Sequence, residues 1–193
     1  MHDSLQKLTS IKNEVKEIIS QVSRESQTEI ASIRVNVPVV NSLTSYFSSE
    51  ISIFDEKISD LHLIQSVNKS EILDSIDKYK IIHRSIIDFE LDKQKNIIDP
   101  IGMYGDKLKV YFYKLAIREN YIKTINTIFE QLNIHIEYFI PSPLSSALAT
   151  LKKDEKELGS ISIDLGAGST SISIFENNKL IFLDAIPVGG QNI

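Results

Sequence analysis

In residues 160–174 isoleucine alternates with serine, and the alternation is interrupted once, at Asp164-Leu165-Gly166-Ala167-Gly168-Ser169-Thr170. A period of two, carried by β-branched residues, is the mark of a half-buried strand. A Gly-x-Gly step lets the chain reverse tightly. Downstream, Asn177-Asn178 separates this run from Lys179–Ile186, and paired Asn tolerates the positive φ angles of a two-residue hairpin. The end of the chain therefore reads as a meander of three strands.

The first of its turns has chemistry in it. An alternating strand ends in Asp164, passes through Gly166-Ala167-Gly168, and re-enters a strand through Ser169 and Thr170. Successive main-chain N–H groups in such a turn form a concavity suited to phosphate. A carboxylate beside it repels phosphate unless a divalent cation lies between them, and Mg²⁺ commonly binds through one or two carboxylates, waters and phosphate oxygens. A D-x-G-x-G hairpin is also a purely structural turn in many proteins. It is neither a dinucleotide fingerprint, since a strand follows it and the third Gly is missing, nor a P-loop, since Gly-Lys-Ser/Thr is absent.

The rest of the chain mixes helix and strand. Leu8, Ile11, Val15, Ile18 and Val22 predict an amphipathic helix over 4–25, capped at Ser4 and packed on its own domain's sheet. Ile33, Val35 and Val37 predict a strand ended by Pro38. Residues 41–54 read as a Ser/Thr-rich hairpin, and 59–67 as a helix with Leu61, Ile64 and Val67 on one side. A polar stretch runs to Lys78. Residues 80–91 and 106–117 read as long strands joined by the turn cluster Asp99–Gly105. A helix over 118–133 faces inward through Ile122, Ile125, Phe129 and Leu132. It is followed by a strand at 134–140, a helix opened by Pro143 with Leu144, Leu148 and Leu151, and the charged boundary 152–159.

Composition narrows the function classes. With no Cys, the chain has no disulfide scaffold, thiol catalysis, Cys-ligated zinc or iron–sulfur site. A net charge of −5 opposes nucleic-acid binding, whose footprint is basic. No window reaches the roughly 18 apolar residues of a membrane span, and the expected location is cytoplasmic. His62, His83 and His135 are too widely spaced to ligate one metal and read as structural or surface histidines. Tyr104, Tyr111, Phe112 and Tyr113 read as sheet packing rather than a base-stacking platform. Asp88, Glu90 and Asp92 read as a solvated strand edge.

At the Gly turn the chain resembles the actin/Hsp70/sugar-kinase superfamily, whose second phosphate hairpin reads D-(I/L)-G-G-G-T before a strand. Other pieces resemble one branch, the bacterial cell-division FtsA family. These are Pro100-Ile101-Gly102-Met103-x-Gly105, Asp154-Glu155-Lys156-Glu157-Leu158-Gly159, Pro143-Leu144-Ser145-Ser146-Ala147, and Ile186-Pro187 followed by Gly189-Gly190. The departures are Ala167 for the middle Gly, Ser169 for Thr, and Ser171 where Asp is common. The resemblance implies an α/β (α+β) chain: part of an actin-like, ribonuclease-H-type fold with an inserted SHS2-type subdomain. It divides as 1–40, part of subdomain 1A; 41–117, the insert 1C; 118–157, the remainder of 1A; and 158–193, the start of 2A.

The family begins with another glycine-bearing phosphate hairpin, and here no glycine precedes Gly102. The expectation is therefore an internal stretch with half of a phosphate clamp, binding ATP poorly by itself. The resemblance further implies that Asp164, Leu165, Gly166, Ala167, Gly168 and Ser169 hold phosphate, with Asp164 reaching Mg²⁺ through water. It implies self-association through 41–117, an adaptor role rather than an enzyme, and linkage of the division ring to the inner membrane. FtsZ and the cytoplasmic face of that membrane would be met through a subdomain and a C-terminal helix lying outside this chain. The alternatives are an actin-like scaffold of pilus assembly, and a kinase or exopolyphosphatase of the same superfamily.

Overall fold

The computed structural model describes residues 2–72 and 77–192, so part of the polar stretch before Lys78 lies outside the described residues. A long helix α1 (His2–Ser26) is followed by strand β1 (Ser32–Val37). Next come β2 (Leu43–Lys57), α2 (Asp60–Ile72), β3 (Tyr79–Leu91), β4 (Gln94–Ile97) and β5 (Tyr104–Arg118). The chain continues through α3 (Glu119–Glu130), β6 (His135–Pro141), α4 (Ser142–Thr150) and α5 (Lys153–Leu158). It ends with β7 (Ser160–Leu165), β8 (Thr170–Glu176) and β9 (Lys179–Ile186).

These strands make three sheets. β1 and β6 pair in parallel; β2-β5-β3-β4 form an antiparallel sheet; β7-β8-β9 form the meander. The four-stranded sheet, with α2 on it, is inserted between β1 and β6. Its central strand β5 serves two cores in succession. Leu108, Val110 and Phe112 join Ile53, Ile58, Phe89, Leu91 and Ile97 in a core within the insert. Tyr113, Leu115 and Ile117 then join Val37, Val39, Ile122, Leu144, Phe175, Leu180 and Leu183 in a core shared with the other two sheets.

The structure corrects several sequence expectations. Residues 43–57 are one continuous strand along β5, not a hairpin. The Ser/Thr run that suggested a turn instead supplies small side chains. Ser49 and Ser66 hydrogen-bond to each other through their hydroxyls, and buried Ser66 and Ser70 let α2 lie close on the sheet. The packed face of α2 is thus Leu63, Ser66, Val67 and Ser70, and Leu61 and Ile64 are exposed.

α1 starts at His2, which places Ser4 inside its first turn rather than at its cap. Its half-buried positions are Lys12, Val15, Ile19 and Ser23, while Ile11, Ile18 and Val22 face outward. The helix packs chiefly against α3. β3 pairs with β5 along its length and with the short β4 only at Phe89 and Leu91, so Glu90 lies within the sheet and Asp88 just before the β4 pairing. Glu90 accepts a hydrogen bond from Tyr111 Oη at 2.6 Å. Asp92 sits in the β3–β4 turn and accepts the amides of Asp106 and Lys107.

Candidate functional site

β7 and β8 deliver the two sides of the Gly turn in register, with Asp164 opposite Ser171 and Leu165 opposite Thr170. The turn closes through the Gly166 amide, which donates to Ser169 O at 2.9 Å. Among the described residues, the amides of Ala167, Gly168 and Ser169 make no backbone hydrogen bond. Nothing stands within 4 Å of where a Cβ on Gly168 would lie. Unpaired donors around open space are what an oxyanion needs.

The turn does not stand alone. Beyond β9 the chain doubles back beneath it, and Gly190 and Gln191 amides donate to Gly166 O and Ala167 O at 2.9 and 2.8 Å. Thr170 Oγ1 donates to Val188 O at 2.7 Å, and the Gly189 amide donates to Asn192 Oδ1 at 2.9 Å. A Cβ on Gly189 would lie 2.5 Å from Gly166 O and 2.6 Å from Ala167 O, so only glycine allows this approach of backbone to backbone. Neither Gly166 nor Gly168 takes a left-handed φ. Glycine is thus demanded in the bracing segment, by close approach at Gly189, rather than by backbone angle in the turn itself.

Asp164 points from β7 toward α4, where Ser146 Oγ donates to its Oδ2 at 2.8 Å. Its Oδ1 has no hydrogen-bond partner among the described residues. Next along α4, Ser145 Oγ donates to Asn36 Oδ1 at 2.8 Å, which ties β1 to the same helix. The residues therefore fit an anion at the turn together with a hydrated cation at Asp164. No group of three or more His, Asp or Glu capable of ligating a metal directly occurs among the described residues.

The sequence-predicted residues 164–169 thus lie together at one end of the meander. Leu165 is the exception in kind: its side chain points out to solvent, and its contribution to the site is backbone only. Sequence reasoning missed Ser146, which orients Asp164, and the brace at 188–191. Both sat in stretches already singled out, Pro143–Ala147 and Gly189-Gly190, but nothing in their spacing announced a contact with the turn.

Of the histidines, His62 Nδ1 accepts the Ser59 amide at the start of α2, at 3.1 Å. His83 is partly buried on β3, and His135 is exposed. Phe112 and Tyr113 are core residues, while Lys57 and Lys109 lie over the rings of Tyr104 and Tyr111. Among the described residues no helix is long and apolar enough to cross a membrane.

Known proteins resemble this chain in sequence and in fold. Residues 41–115 match the model of the SHS2 domain inserted in FtsA. The chain is 28% identical over 190 residues to the cell division protein FtsA of Agrobacterium fabrum, covering 96% of this chain and 42% of that one. It is 32% identical over 117 residues to FtsA of Helicobacter pylori, covering 61% of this chain and 23% of the relative. Among solved structures, the PilM-PilN type IV pilus biogenesis complex superposes with a TM-score of 0.53 at 14% identity, over 95% of this chain and 49% of that one. The expected fold class holds: a mixed α/β chain of the actin-like type with an SHS2 insert. The chain is FtsA-like along nearly its whole length and spans 42% of the A. fabrum relative's length.

Proposed function

We propose that this FtsA-like chain is the nucleotide-facing and self-associating portion of an actin-like cell-division protein, an adaptor between the division ring and the inner membrane rather than an enzyme. The observation that carries the nucleotide part is the turn itself: three unpaired amides at Ala167, Gly168 and Ser169 beside open space, with Asp164 held next to them by Ser146. ATP is the proposed ligand. Its phosphates would lie on those amides, and Mg²⁺ would bridge them to Asp164 through water, relieving the repulsion between carboxylate and phosphate.

Self-association is assigned to the insert, residues 41–117. Its edge strand β2 is fifteen residues long and presents unpaired main-chain groups that can template a further strand. FtsZ and the membrane surface are the further partners, and the cytoplasmic face of the inner membrane is the proposed location. Identity favours this reading over a pilus scaffold: 28% across 96% of the chain against 14% for the pilus complex.

Amide resonances of uniformly labelled protein, followed during titration with Mg²⁺·ATP, test the site. Residues 166–169 are expected to shift saturably, and Asp164→Asn to abolish the Mg²⁺ dependence while leaving the fold intact. Saturation of shifts elsewhere, with 166–169 unmoved, would place the nucleotide at another site.

A further inference from the structure

β9 is the outer strand of its sheet, and among the described residues its side away from β8 pairs with no strand. Its backbone is nevertheless occupied, by tyrosines of the insert. Tyr113 Oη donates to Leu183 O at 2.6 Å and accepts the Leu183 amide at 3.0 Å. Both residues are fully buried. Two positions earlier, Ile181 O accepts a hydrogen bond from Tyr46 Oη at 3.2 Å. The Tyr113 ring packs between Tyr46 and Phe182, at centroid distances of 5.6 and 6.4 Å. A single phenol thus does for Leu183 what a neighbouring strand would do, satisfying its donor and its acceptor together.

From Leu183 only three residues of strand remain before Pro187 and the brace. That brace holds the phosphate turn by its two carbonyls, through the amides of Gly190 and Gln191. Pinning the carbonyls of Gly166 and Ala167 on one side sets where the free amides of the turn point. The route from insert to turn is therefore short and bonded throughout: β5 to Tyr113, Tyr113 to β9, and β9 to the brace.

Building on the phosphate reading above, we propose that Tyr113 is a positioning residue for the anion site. It clamps the insert to β9 so that anion binding at 166–169 and seating of the insert strengthen each other. Linkage requires the effect to run both ways: what orders the turn must hold the insert, and what moves the insert must loosen the turn.

Hydrogen exchange followed by mass spectrometry on the whole chain tests the coupling. Tyr113→Phe keeps the ring and removes only the hydroxyl; Ile122→Val, in the same core but away from β9, controls for general loss of stability. Without ligand, Tyr113→Phe is expected to raise exchange about fivefold or more at the hydrogen-bonded amides of 183–191 and at Gly166, whose amide closes the turn. Ile122→Val should leave those segments near the wild-type rate. Tyr46→Phe, which loses only the bond to Ile181, should give the same pattern more weakly, and it serves if Tyr113→Phe does not fold.

Millimolar Mg²⁺·ATP should then slow exchange at 43–57 in the wild type and not in Tyr113→Phe. A rise confined to 181–184, or one matched by the control, overturns the coupling. So does protection of 166–169 by nucleotide with the insert unchanged. If nucleotide fails to protect 166–169 in the wild type, the phosphate reading falls, and the ligand-free comparison still decides whether insert and turn are coupled.

Discussion

The insert's sheet and the terminal meander are both antiparallel, and both alternate apolar with polar residues, but they turn opposite kinds of side chain inward. In the insert, β5 buries Leu108, Val110 and Phe112 against α2 and its neighbours. In the meander, the face toward α4 carries Ser160, Ser162, Asp164, Ser171 and Ser173, joined by Phe175 and Leu183 at its edge. The aliphatic residues of β7 stand on the other face, with Ile161, Ile163 and Leu165 at 59, 61 and 78% exposure. Small hydroxyl side chains let α4 approach closely and place Ser146 within reach of Asp164. Alternation fixes the period of a strand, and its neighbours decide which phase faces the core.

If that contrast is right, the two sheets should answer differently to the same kind of change. The largest effect is expected at Phe112, which is fully buried in the insert core. Phe112→Ala should cost about 3–5 kcal/mol by denaturant melting, and a cost below about 1 kcal/mol would mean that the core collapses around the gap.

Each sheet also has a buried polar atom without a partner among the described residues, His83 Nε2 in the insert and Ser173 Oγ in the meander. Only the first can titrate. Burial pushes the His83 pKa below its ordinary 6.5. The unfolded chain therefore takes up a proton first as the pH falls, and stability that is complete above about 6.5 is lost progressively below it. Melting temperatures between pH 7.5 and 5.5 should fall in the wild type and fall less in His83→Leu; equal slopes would show that other groups set the acid limit.

In the meander, Ser173→Ala removes a hydroxyl that bonds to nothing, and should be neutral or stabilising by up to about 1 kcal/mol. Smallest of all, Ile163→Thr on the open face should change stability by less than about 0.5 kcal/mol. A larger loss there would reveal a covered face.

The same physics explains what could be read from the sequence and what could not. The meander, its Asn177-Asn178 turn and the Gly turn were legible because local sequence dictates them; both Asn residues do take positive φ. The two long strands of the insert were legible as apolar runs for the same reason. The phase of α1 was not: Ile and Val sit on more than one of its faces, and its contact with α3 selected the row through Val15 and Ile19. The continuity of β2 was hidden because serine and threonine suit turns and pleats alike, and only the pairing with β5 distinguishes them. At the site, the residues of the turn were contiguous and visible. Their supports, Ser146 and the brace, come from segments about twenty residues to either side and depend on tertiary placement.

One consequence follows from β5 having neighbours on both flanks, β2 along one side and β3 along the other, for most of its fifteen residues. Ladder hydrogen bonds lie across the strand axis. A pull along β5 therefore loads two rows of bonds in shear at once instead of peeling them one by one. The first half of β5 is anchored in one core and the second half in another, which makes it a tie-rod: tension applied to the insert is carried into the body of the molecule by a single uninterrupted length of chain.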